Sequence, residues 1–137
     1  MADITVTPAN VVAGANSSID RRYNAGAAVT AGQTVYLDTA TNTWKLADAN
    51  ASIDTAELGG IALHAASTGQ PLAVLTDGDY NPGATVAVGT IYVVSATAGG
   101  IAPAADGVTG WYTSIIGVAT TAANIHVVRN SSRVAKP

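Results

Sequence analysis

The chain carries the same short frame twice. Residues 26–37 read Gly-Ala-Ala-Val-Thr-Ala-Gly-Gln-Thr-Val-Tyr-Leu, and residues 83–93 read Gly-Ala-Thr-Val-Ala-Val-Gly-Thr-Ile-Tyr-Val. Gly26 matches Gly83, Val29 matches Val86 and Gly32 matches Gly89, and after a one-residue gap Tyr36 matches Tyr92. The match resumes where Gly60-Ile61-Ala62 faces Gly117-Val118-Ala119. A spacing of 57 residues (26 to 83, 60 to 117), seen twice, implies two copies of one supersecondary unit. A solenoid would need at least about three repeats. The shared residues are glycines, β-branched residues and a tyrosine. They encode a shape and include no catalytic group.

Composition narrows that shape. A chain of 137 residues is long enough for one domain with a real core. It has no Phe and only 5% aromatics, so core volume must come from Val, Ile, Leu, five Tyr and two Trp. Small side chains suit thin, closely spaced β layers. Charged residues make up 11%, under half of ordinary usage. Such a surface fits a protein partly covered by other subunits. The net charge of −3 and six dispersed Lys/Arg give no nucleic-acid footprint. Absence of cysteine excludes disulfides, thiolate metal sites and a Cys nucleophile. Residues 1–4 lack the basic and apolar regions of a secretory signal, so folding in a cytoplasm is expected. The uncharged stretch 80–105 is broken by Gly, Pro, Ser and Thr and does not read as a membrane span.

Turn residues and β-branched runs predict strands at 33–38, 43–46, 58–63, 71–75, 90–96, 101–102, 111–119 and 124–129. A short strand is also expected at 3–7, before Pro8. Residues 76–83, dense in Asp, Gly, Asn and Pro, read as the turn between copies. The expected fold is all-β, a small barrel or sandwich of two repeats. Its parts are an extended N-terminal arm (1–24) and a β domain (25–137). The domain divides into repeat one at 25–76, repeat two at 82–129, and a polar tail at 130–137 that is mobile unless docked.

Chemistry is sparse. His64 and His126 do not align in the repeat, and neither has a partner at metal-ligand spacing, so both read as ordinary histidines. Asp77-Gly78-Asp79 resembles the start of a calcium loop but lacks the later ligands. Asp48, Asp54 and Glu57 share one loop, with nothing to set their separation as acid and base. No nucleophile elbow, P-loop or dinucleotide fingerprint occurs. No catalytic, cofactor or metal residue is assigned, and no enzyme is expected. The concentrated basic positions are Asp20-Arg21-Arg22-Tyr23 and, near the other end, Arg129, Arg133 and Lys136. They serve solubility or docking to an acidic partner surface. Trp44 and Trp111 are core fillers or interface anchors.

The whole pattern resembles the capsid cement, or head decoration, proteins of tailed bacteriophages. The resemblance rests on the N-terminal arm and the Ala-Gly-x-x-Val-x-x-Gly-x-x-Val-Tyr frame at 25–36. The Gly-Gly-Ile-Ala-Leu step at 59–63, its echo at 116–119 and the closing Val-Val-Arg at 127–129 complete it. It implies a β-rich, non-enzymatic virion protein on the outer capsid surface. Such proteins bind the major capsid protein, often as trimers, and use no nucleic acid, membrane or cofactor. It also implies an arm reaching neighbouring subunits, which adds Ile4 and Val6 to the docking candidates Asp20, Arg21, Arg22, Tyr23, Arg129 and Arg133. A tail, baseplate or fibre-base β domain stays open as an alternative. So does a carbohydrate-binding module using Trp44 or Trp111 as its platform.

Overall fold

Each copy of the repeat folds into four strands. The computed structural model describes residues 3–137, so the first two residues of the expected arm lie outside the described range. The first copy supplies β4 (Thr34–Asp38), β5 (Thr43–Leu46), β6 (Gly60–Ala62) and β7 (Val74–Pro82). The second supplies β8 (Ile91–Val94), β9 (Ile101–Pro103), β10 (Tyr112–Ala119) and β11 (Ile125–Ala135). Ahead of them lie β1 (Val11–Ala13), β2 (Ser18–Asp20) and β3 (Asn24–Ala25). The only helical turns among the described residues are two 3-10 turns, Pro8–Asn10 and Ala104–Asp106.

Strand order carries the duplication into three dimensions. The sheet runs β3-β5-β4-β6-β7-β11-β10-β8-β9. Outward from the β7–β11 contact it reads β7-β6-β4-β5 on one side and β11-β10-β8-β9 on the other. The contact is antiparallel, pairing Tyr80 with Ile125 and Gly78 with Val127, so the copies are arranged as a two-fold pair. The fold is all-β as expected. The barrel form of that expectation does not hold: β3 and β9 stand at opposite ends of the sheet and do not pair. Segment 47–49 bridges the copies instead, with Ala49 N–H donating to Ser95 and Tyr112 N–H donating to Ala49.

The matched glycines are matched hydrogen bonds. Gly32 N–H donates to the Ala62 carbonyl at 2.8 Å, and Gly89 N–H donates to Ala119 at 2.8 Å. Ala62 N–H returns to Gln33 at 2.9 Å, and Ala119 N–H returns to Thr90 at 3.0 Å. Both glycines are left-handed, with φ of +90° and +81°. A Cβ there costs roughly 1–2 kcal/mol through its clash with the carbonyl oxygen.

Two apolar clusters fill the interior. One gathers Val35, Trp44, Leu72 and Val74, with Tyr23 and Leu37 at its rim. The other spans both copies through Ile61, Leu75, Tyr80, Tyr92, Ile101, Ile116 and Ile125. Each fully buried aliphatic side chain contributes about 1.5–3 kcal/mol.

The arm is extended but folded onto its own domain. β1 and β2 lie antiparallel along β7, Ile4 N–H donates to Ile101, and Thr7 N–H donates to Gly83. Residues 3–7 form no ladder strand. The tail is docked as well, since residues 130–135 continue β11 against β10. Residues 76–82, expected as a turn, are the greater part of β7.

The two equivalent glycines differ in surroundings, which gives a test. A Cβ at Gly32 would come within 2.5 Å of Val6 Cγ1 and 2.9 Å of Val11 Cγ2, whereas one at Gly89 meets nothing within 4 Å. Gly89→Ala should therefore cost only the backbone term of about 1–2 kcal/mol. Gly32→Ala should cost a further ~1–3 kcal/mol for overpacking. Urea denaturation of both variants measures the difference. Equal losses would contradict the packing of the arm.

Candidate functional site

The sequence puts few charges on this chain, and the fold concentrates them. An open cleft of about 860 Å³ lies between the β4–β5 hairpin, loop 47–59, β2 and the end of β11. Three of the six Lys/Arg (Arg22, Arg129, Arg133) and four of the nine Asp/Glu (Asp20, Asp38, Asp54, Glu57) line it. Four of the eight docking candidates thus converge from segments more than a hundred residues apart in the chain.

β11 delivers its arginines through two bulges. Between the pairs Gly117–Val127 and Ile115–Asn130, β11 spends one more residue than β10. Between Ser114–Ser131 and Tyr112–Ala135 it spends two more. Arg129 and Arg133 fall in these stretches, in the left-handed region at φ +41° and +56°. Bulges re-aim side chains. Non-glycine residues held there cost on the order of 1–3 kcal/mol each.

The repeat shows why position 129 is left-handed. Ala62 pairs with Val74 as Ala119 pairs with Ile125, so these strands start in equivalent places. Four residues on, β7 has Gly78 at φ +93° and β11 has Arg129. The frame asks for a left-handed residue in both copies. One copy supplies glycine and the other an arginine.

The ion pairs are specific. Arg22 forks onto Asp20, with Nη2 at 2.8 Å from Oδ2 and Nε at 3.2 Å from Oδ1. The Arg22 side-chain hydrogen bonds hold the Asp20 carboxyl below its usual range, against the opposing effect of partial burial. Lys45 Nζ donates to Asp38 Oδ2 at 2.7 Å and lowers that carboxyl in the same way. Arg133 bonds Asp54 at 3.2 Å and also Glu57, clipping loop 47–57 to β11. The two loop carboxylates therefore face a shared arginine. Arg129 Nη1 donates to the Gly59 carbonyl at 3.2 Å and forms no ion pair among the described residues.

The other candidates lie elsewhere or in support. Ile4 and Val6 are half-buried against their own domain, Ile4 on the larger core cluster and Val6 over Gly32. Arg21 is exposed. Tyr23 meets Trp44 edge-on with centroids 6.1 Å apart, and the Arg22 guanidinium sits 5.1 Å over the Tyr23 ring. Trp44 is only 3% exposed, which makes it a core filler and leaves no stacking face for a sugar. Trp111 is half-buried beside the larger cluster.

Both histidines have local partners. Ala73 N–H donates to His64 Nε2, which leaves Nδ1–H to donate to the Ala65 carbonyl. His126 Nδ1 lies 2.7 Å from Asp79 Oδ1. Asp77 accepts from Gly78 N–H, and Asp79 also bonds Asn16, so the calcium-like triplet is engaged within the protein. Among the described residues, no group of three or more His, Asp or Glu could hold a metal. No helix there is long and apolar enough to cross a membrane. The cleft was legible only as scattered arginines. Its carboxylate wall, loop 47–57, carried no signal that tied it to β11.

The two lowered carboxylates contribute to the acid response. Each contributes stability that is present above the usual carboxylate pKa of about 4 and is lost as pH falls through the lowered folded value. Asp20→Asn with Asp38→Asn should flatten the fall in urea midpoint between roughly pH 5 and pH 2. An unchanged profile in the double variant would show that these pairs do not survive in solution. No protein-family model matches the chain, and no curated protein matches it in sequence.

Proposed function

We propose that this chain is a structural virion protein of a tailed phage, a cement protein that docks on the outer capsid surface and stabilises the shell without catalysis. One observation supports the reading above the others. Asp20, Arg22, Arg129 and Arg133 converge on one open cleft, and two of the arginines occupy strained bulge positions. Glycine at 129 would meet the backbone requirement without strain, so an arginine there calls for a reason beyond the fold. The partner is the major capsid protein, and the protein acts as a homo-oligomer, with a trimer favoured by the family resemblance.

The mechanism follows from linkage. A ligand that binds only the assembled state stabilises that state by mass action. Many symmetric copies turn modest contacts into large avidity. Docking narrows here to the cleft, because Ile4 and Val6 pack inside the domain.

Negative-stain microscopy of the protein mixed with empty phage shells tests this. Decorated shells are expected, with decoration reduced at least roughly tenfold in Arg22→Ala/Arg129→Ala, as loss of charge-assisted bonds predicts. Rings or tubes formed by the protein alone would favour a tail component. Bare shells would sink the cement reading.

A further inference from the structure

We infer that Arg129 is the anchor of the cleft, and that it takes a single carboxylate carried on an otherwise neutral segment of a protein partner. This rests on reading the cleft as a docking face. Of the three arginines there, Arg22 is forked onto Asp20 and Arg133 is held by Asp54 and Glu57. Arg129 alone spends one N–H on a neutral carbonyl, that of Gly59. That bond orients the guanidinium and leaves the rest of its donor fork for a carboxylate. Its field is felt at Asp20, but the Asp20 oxygens are hydrogen-bonded to Arg22.

The backbone makes the same point. The equivalent position in the first copy is Gly78, and there the Gly14–Ser17 turn of this chain covers the site. A Cβ at Gly78 would meet Asn16 O and Ser17 Cα at 2.6 Å. The second copy has Arg129 instead, and that residue is exposed. The frame accommodates a covering segment at this place, and the arginine supplies a recognition group where glycine would relieve strain.

Two features define the segment. Each cleft carboxylate already has a cation (Asp20 has Arg22, Asp38 has Lys45, Asp54 and Glu57 share Arg133), so the spare donors of Arg129 match one carboxylate among neutral residues better than a polyanion. Addition of the segment as a β-strand is disfavoured. The end of β11 is bulged, and Ser132 Oγ closes locally on Val134 through both its N–H and its carbonyl. Recognition then runs through side chains.

The test uses the full chain and a capped pentapeptide with one central Glu between Thr and Ala, against its Gln counterpart. Arginine Nε–Hε resonances report binding. The Glu peptide should shift Arg129 and bind roughly tenfold more tightly than the Gln peptide. Arg129→Gly, which suits the backbone and should fold at least as well, should abolish the preference. Lys136→Ala, which lies outside the cleft, should retain it within about twofold, the scale of ordinary context effects. Equal binding of the two peptides, an undiminished preference in Arg129→Gly, or displacement by equimolar inorganic phosphate would each overturn the assignment. If shells are decorated by Arg129→Gly as well as by wild type, the anchor falls and the docking reading stands. If the peptide needs Arg129 but shells stay bare, the anchor stands and the cement reading falls.

Discussion

Everything in this fold depends on β7 serving two halves at once. Its first residues pair with β2 and β6, and its last pair with β1 and β11. An eleven-stranded sheet with nine strands in one path has no other strand with four partners. Gly78 makes the exchange possible. It sits at φ +93°, between the two sets of partners, with the Asn16 and Ser17 backbone pressed where a side chain would be. A residue with a Cβ would have to open that contact. The arm is therefore part of the domain's cohesion, since it lies along the strand that joins the two copies.

The duplicated frame was legible because its signals are local. Left-handed turns at Gly32 and Gly89, and β-branched runs after them, need only short-range sterics to form. The all-β class followed from the spacing of such signals. What escaped was set by distant partners. Residues 76–82 look like a turn, and two of them behave like one locally: Asp77 accepts from Gly78 N–H, and Asn81 accepts from Gly83 N–H. Tyr80 nevertheless lies fully buried among both copies, and the ladders on either side override local preference. The tail is a similar case. Ser131 reads as polar coil, yet its hydroxyl lies 2.8 Å from the buried Ser114. The arginines could be named from sequence, but the meeting of Arg133 with Asp54 and Glu57 could not, because no sequence pattern reports a contact 76 to 79 residues apart.

Low charge changes what the remaining charges mean. On an ordinary surface, a cluster of seven ionic side chains is a solvated face worth little to stability. Here it holds nearly half of the charged residues, and much of the remaining surface is Thr, Ser, Ala and Val. Exposed pairs of this kind add little to folding. Their value lies in orientation: Arg22 is fixed between Asp20 and the Tyr23 ring, and Tyr23 rests on the buried Trp44. The cleft wall is thus tied to the smaller core cluster through one aromatic contact.

The two-fold arrangement also shows where the molecule departs from its own symmetry. At the Ala62–Val74 and Ala119–Ile125 pairs the copies use the same ladder. Four residues later, both strands need a left-handed residue, and they solve the problem differently. The first copy takes glycine and buries it under the arm. There is one arm for two copies, so the equivalent place in the second copy has no such cover. Glycine there would have relieved the backbone and left a featureless groove. Arginine keeps the strain, which persists only when the surroundings hold it in place. The Gly59 carbonyl and the β10 ladder do so here. A duplicated fold that has one covering segment leaves one uncovered site, and the chain has put there an exposed arginine, whose planar fork matches carboxylate geometry.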